Sequence, residues 1–75
     1  MNMIKVTLKN DVDRISVITD KNRTVASVLE ENGFVTSKSY AINAEVIRDL
    51  NLTFDDIDNT VEEYTVVAVS KMDNA

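Results

Sequence analysis

Residues 64–71 form a β-branched run that is apolar on both alternating faces, Val67 and Val69 on one and Val66 and Ala68 on the other. Successive side chains of a strand point to opposite faces, so such a strand is covered on both sides and belongs in the middle of a sheet. This is the last patterned segment of a 75-residue chain. A final strand can be central only beside the first. The connection rules then make the two parallel and send a helical crossover over one face.

The rest of the chain supplies those parts. Residues 3–9 alternate strictly, with Ile4, Val6 and Leu8 on one face and Lys5, Thr7 and Lys9 on the other, the pattern of a half-buried strand. Residues 10–13 (Asn-Asp-Val-Asp) are turn formers. A second strand follows over 14–19, opening on Arg14 and closing on Thr19, with Ile15 and Val17 inward. Thr24 suits a helix N-cap, Val25, Val28 and Leu29 give an apolar stripe at i, i+3 and i+4, and Asn32-Gly33 stops the helix. Residues 40–43 and 45–47 read as short strands around Asn43-Ala44, a weaker turn signal than Asn-Gly. Thr53 and Asp56 have capping-box spacing ahead of one helical turn over 53–57.

The expected fold is therefore α+β, order ββαββ, with a mixed four- to five-stranded sheet packed on one helix. Residues 1–75 make one domain, and 72–75 are a short tail. At this point the chain resembles the ubiquitin-like β-grasp superfamily over nearly its whole length: 3–9 and 14–19 as first hairpin, 24–33 as helix, 53–57 as the turn before the last strand. Residues 40–46 (Tyr-Ala-Ile-Asn-Ala-Glu-Val) are similar to the central hairpin of ThiS- and MoaD-type sulfur carriers, and residues 69–75 look like the tail of small bacterial ubiquitin-like proteins. The resemblance implies a carrier or modifier ending in Gly-Gly. Here the segment ends Asp73-Asn74-Ala75 and its single glycine is Gly33, so carrier chemistry is the alternative expectation.

Composition narrows the chemistry. The 75 residues hold no Cys and no His, which removes disulfides, ordinary zinc sites, thiol nucleophiles and Ser–His pairs. One glycine cannot build a phosphate-cradling loop. A net charge of −5 disfavours nucleic acid and anionic lipid as partners. No run approaches a membrane span, and the missing cysteines fit a cytoplasmic location. The acidic set Asp55, Asp56, Asp58, Glu62 and Glu63 lacks the Gly and Glu placement of an EF-hand loop and reads as a solvated loop. No cofactor, metal or catalytic residue is expected, and the chain is not expected to be an enzyme.

What is left is surface. If Val67 and Val69 face the helix, then Val66 and Ala68 face out near Ile18 and Tyr64, making an apolar patch ringed by Lys5, Thr7 and Lys9. That patch is the expected site of non-covalent binding to another protein. The 14–19 strand carries no proline and no charge between its ends, so a weak homodimer through this edge, or a self-associating structural role, is the other expectation.

Overall fold

The computed structural model describes residues 2–69. Residues 70–71 of the expected last strand and the 72–75 tail lie outside the described residues. The elements run β1 (Met3–Lys9), β2 (Arg14–Asp20), α1 (Val25–Glu31), β3 (Tyr40–Ile42), β4 (Glu45–Ile47), α2 (Phe54–Ile57) and β5 (Glu63–Ala68). The sheet order is β2-β1-β5-β3-β4. β5 lies parallel to β1, and the other neighbours are antiparallel. The last strand is thus central, as its two-sided apolarity requires, and the mixed sheet with one crossing helix is the expected β-grasp arrangement.

One face of the sheet carries the core. Ile4, Val6 and Leu8 of β1, Tyr64 and Val66 of β5, and Tyr40 and Ile42 of β3 are all buried there against Val25, Val28 and Leu29 of α1. Ile15 and Val17 of β2 pack on the margin of this cluster and stay half-buried. Seven residues of helix are too few to persist alone, so α1 exists because this stripe is buried. Truncating a fully buried leucine such as Leu29 to Ala costs roughly 2–5 kcal/mol.

Both helix starts are closed by the chain before the other helix. Thr24 Oγ1 accepts from Ser27 N at 3.1 Å, while the Val25 and Ala26 amides donate to the Leu52 and Leu50 carbonyls at 3.0 and 2.8 Å. In return the Phe54 and Asp55 amides donate to the Arg23 and Lys21 carbonyls. Thr53 and Asp56 complete the expected capping box on α2. Amides that a helix leaves without partners are therefore satisfied by a second segment, which ties the 50–54 loop to α1.

Three residues, at two turns, have left-handed backbone. Gly33, at φ +82°, ends α1: its amide donates to the Glu30 carbonyl and that of Phe34 to the Leu29 carbonyl, a Schellman closure with Phe34 buried beside it. Asn43 and Ala44, at φ +52° and +75°, form the two-residue turn between β3 and β4. This is the mirror-image hairpin turn, which favours glycine second, yet Ala44 occupies that place. Left-handed alanine costs about 1–2 kcal/mol, less the roughly 0.4–1 kcal/mol by which glycine loosens the unfolded chain. Ala44→Gly is therefore expected to stabilise the domain by about 0.5–1 kcal/mol and Gly33→Ala to destabilise it by a similar amount. Urea unfolding of the two variants, read at constant slope, checks both signs.

Candidate interaction face

The face of the sheet away from α1 is built from the other alternate residues. Register places Arg14, Lys9, Val67, Ala41 and Val46 in one row across all five strands. A second row runs Ser16, Thr7 and Thr65, with Thr7 Oγ1 and Ser16 Oγ 3.2 Å apart. A third runs Ile18, Lys5 and Glu63. The first row is the apolar one. Val46 is 53% exposed on the edge strand, with Val67 and Ala41 half-buried beside it. Asn43 anchors this end of the sheet to β5: its amide donates to the Thr65 carbonyl, and its Oδ1 accepts from the Thr65 amide, both at 3.0 Å. Beyond Val46 the face runs into an open depression at the end of the sheet, bordered by Val12, Lys38, Arg48 and Val69.

The expected patch is corrected by this arrangement. Tyr64 and Val66 are 1% and 0% exposed, inside the core, and Ala68 packs against it. It is Val67 that shares the outer face. A signal for this phase was present in the sequence: Glu63 and Thr65, both polar, alternate with Val67 and so mark its side as the solvated one. Ile18 does stand on the outer face, 66% exposed, but it lies on the opposite edge strand from Val46, above Lys5. Ala41 and Val46 were missed because strands of three residues are too short to show a period.

Charge is unevenly placed around this face. Lys5, Lys9 and Arg14 stand on it, and Lys38 and Arg48 border the depression, so five of the eight cations of an acidic chain gather here. Asp55, Asp56, Asp58 and Glu62 lie elsewhere, on α2 and the loop after it, whereas Glu63 and Asp20 stand on the outer face among the cations and Asp11 borders the depression. Among the described residues no three carboxylates converge to hold a metal ion. Asp58 is instead turned on its own loop, accepting from Thr60 Oγ1 at 2.5 Å and from the Thr60 amide at 2.9 Å. Those two bonds, with a smaller contribution from the Lys21 charge, hold its carboxyl below the ordinary value of 3.8 against a partial desolvation.

Tyr64 explains why that loop keeps its shape. Its hydroxyl donates to the Asp58 carbonyl and sits 3.4 Å from the Phe54 carbonyl, while its ring meets Phe54 edge-on at 5.1 Å. Burial, then the nearby Asp58 and Asp55 charges, push the phenol above its ordinary value of 10.0. Tyr40 is fastened in the same manner, donating to the Val35 carbonyl.

No family model and no curated protein matches this chain in sequence. Solved structures do match it in shape. A ubiquitin-like protein from Trypanosoma brucei superposes with a TM-score of 0.69 at 16% identity, covering 95% of this chain and 98% of that one. The ubiquitin-like domain of an Arabidopsis thaliana protein gives 0.72 at 18% identity, over 97% and 82%. A second structure of that Arabidopsis protein gives 0.69 at 19%, over 99% and 93%. The chain has the ubiquitin-like fold.

Two outcomes follow for this ubiquitin-like domain. Val66→Asp places a charge in the core and is expected to unfold it, whereas Val46→Asp leaves the melting temperature within a few degrees; thermal unfolding followed by circular dichroism separates them. A carboxyl titrating below its unfolded value stabilises the fold above that value, and this contribution is lost as pH falls below 3.8 through the folded pKa. Thr60→Val removes the hydroxyl donor. It should move the Asp58 titration, followed by carboxyl carbon NMR, upward and raise the pH of acid unfolding.

Proposed function

We propose that this ubiquitin-like module is not an enzyme and binds another protein non-covalently through the outer sheet face centred on Val46, Ala41 and Val67. The observation that carries this reading is the row itself: apolar side chains held half-open on a polar sheet face and flanked by cations on a chain of net charge −5. Interfaces of this kind have an apolar centre and a polar rim. The rim charge favours a partner surface that is apolar at its centre and acidic around it, because complementary potentials steer encounter and fix orientation. The absence of Cys and His from the 75 residues supports a role by contact and not by group transfer, and it suits a reducing compartment such as the cytoplasm.

Ala44 adds to this reading. Its left-handed backbone sits at the tip of the hairpin that presents Val46, and strain of about 1–2 kcal/mol is kept where surrounding contacts over-determine a shape. Here those contacts are the paired Asn43–Thr65 bonds.

The test is a titration of the isotope-labelled chain with the partner recovered by affinity capture. Backbone amide shifts are expected to map to Lys9, Ala41, Val46 and Val67. Val46→Asp should weaken binding at least tenfold, about 1.4 kcal/mol, with the fold intact. Shifts confined to α1, α2 or the 58–62 loop, with Val46→Asp binding as wild type, overturn the assignment.

A further inference from the structure

We propose that two copies of this chain associate edge to edge through β2, antiparallel, in the register that places Val17 opposite the partner's Val17. This goes beyond the outer-face reading and uses a different part of the molecule. β2 is an edge strand of seven residues, whereas the opposite edge, β4, has three and opens on Glu45. Edges are ordinarily blunted by proline, bulges or mid-strand charge. β2 has none of these: its charges, Arg14 and Asp20, stand at its two ends, and it pairs with β1 residue for residue.

Hydrogen bonding decides which groups the edge offers. At the two ends of the β1–β2 ladder the Asn10 amide donates to the Asp13 carbonyl at 3.0 Å and the Lys21 amide to the Asn2 carbonyl at 2.8 Å. Both pairs continue the β1–β2 register, so the odd-numbered residues of β2 direct their backbone groups at β1. The backbone groups of Arg14, Ser16 and Ile18 and the Asp20 amide therefore point away from the sheet, while the Asp20 carbonyl already accepts from the Arg23 amide at 3.1 Å. A second antiparallel strand bonds these residues only in registers that place even opposite even.

Three such registers are symmetric near the middle of β2, centred on residue 16, 17 or 18. The one centred on Val17 overlaps all seven residues. It sets Arg14 opposite the partner's Asp20 and, by symmetry, Asp20 opposite the partner's Arg14. Both side chains lie on the outer face, so opposite charges meet twice. Neither shifted register opposes them. Asp20 is already posed for this, with Oδ1 accepting from the Asn22 amide at 2.8 Å. Arg14 forms no ion pair among the described residues.

The same register covers what the monomer leaves open. On the core side Val17 meets the partner's Val17, and half-buried Ile15 meets the partner's Thr19. On the outer side Ile18, 66% exposed, sits beside the partner's Ser16 and diagonal to the partner's Ile18. The margin of the core, closed in the monomer by half-buried Ile15 and Val17, becomes interior.

Sedimentation of the full 75-residue chain over a concentration series up to about 1 mM tests this. Wild type is expected to pass from monomer to dimer. Arg14→Asp and Asp20→Arg each replace two attractions by two repulsions and should each weaken the dimer roughly tenfold. The double exchange Arg14→Asp with Asp20→Arg should restore it, and an equimolar mixture of the two single variants should form the heterodimer. Amide exchange gives an independent reading: protection at Arg14, Ser16 and Ile18 should rise with concentration while that of Val17 stays level. Melting curves confirm that each variant folds. A wild type that stays monomeric throughout, or single variants that dimerise as well as wild type, overturns the proposal.

Discussion

The parallel pairing of β1 with β5 is the constraint on which the rest of the molecule depends. It joins the two ends of the described chain at the centre of the sheet, with Val6 beside Tyr64 and Leu8 beside Val66. Parallel strands cannot be joined by a tight turn, so a segment between them must cross over one face. The crossing segment is α1, and its stripe of Val25, Val28 and Leu29 closes the core that the two strands open. A chain without cysteines has no disulfide to hold the two ends of its described residues together. The long-range closure is costly in chain entropy, and it is repaid only when both central strands and the helix are buried at once.

Tyr64 links this centre to the loop that leads into it. The residue begins the buried phase of β5, and its hydroxyl reaches back to the carbonyl of Asp58. The 58–62 segment therefore enters β5 in a fixed path, and the phase of the strand is set by an aromatic ring that has one polar end to satisfy. Tyr40 does the same for β3 through Val35. The small core holds two tyrosines because each finds a carbonyl at its rim.

The sequence shows the fold more clearly than the site, and the reason lies in how burial is encoded. β1 alternates cleanly, so its inward face is unambiguous. The Thr24 and Gly33 boundaries of α1 and the Thr53–Asp56 box of α2 are local chemistry and stand as expected. β5 is apolar on both sides, which fixes its central place but leaves its phase to two polar residues, Glu63 and Thr65. Weighting Val66 and Ala68 outward inverted the patch. The site also depends on β4, three residues whose pairing with β3 needs a turn through left-handed Asn43 and Ala44. Ala at that position weakens the turn signal, which the sequence still places at Asn43-Ala44, and the bonds between Asn43 and Thr65 supply the preference that glycine would have given.

Twist decides how the outer face and the β2 edge can work together. Pairing two copies through β2 in the Val17 register keeps outer residues opposite outer residues, so both apolar rows lie on one continuous ten-stranded surface. Adjacent strands in a sheet rotate by about 20°. Five steps separate one copy's β5 from the partner's, which turns one face relative to the other by roughly 100°. Two outer faces set nearly at right angles cannot rest on one flat partner. They engage two partner molecules, or one that curves around the edge where the copies meet. Dimerisation through β2 would therefore act on binding through Val46 by valency and not by altering the face itself, since β4 lies at the far edge of each copy from β2.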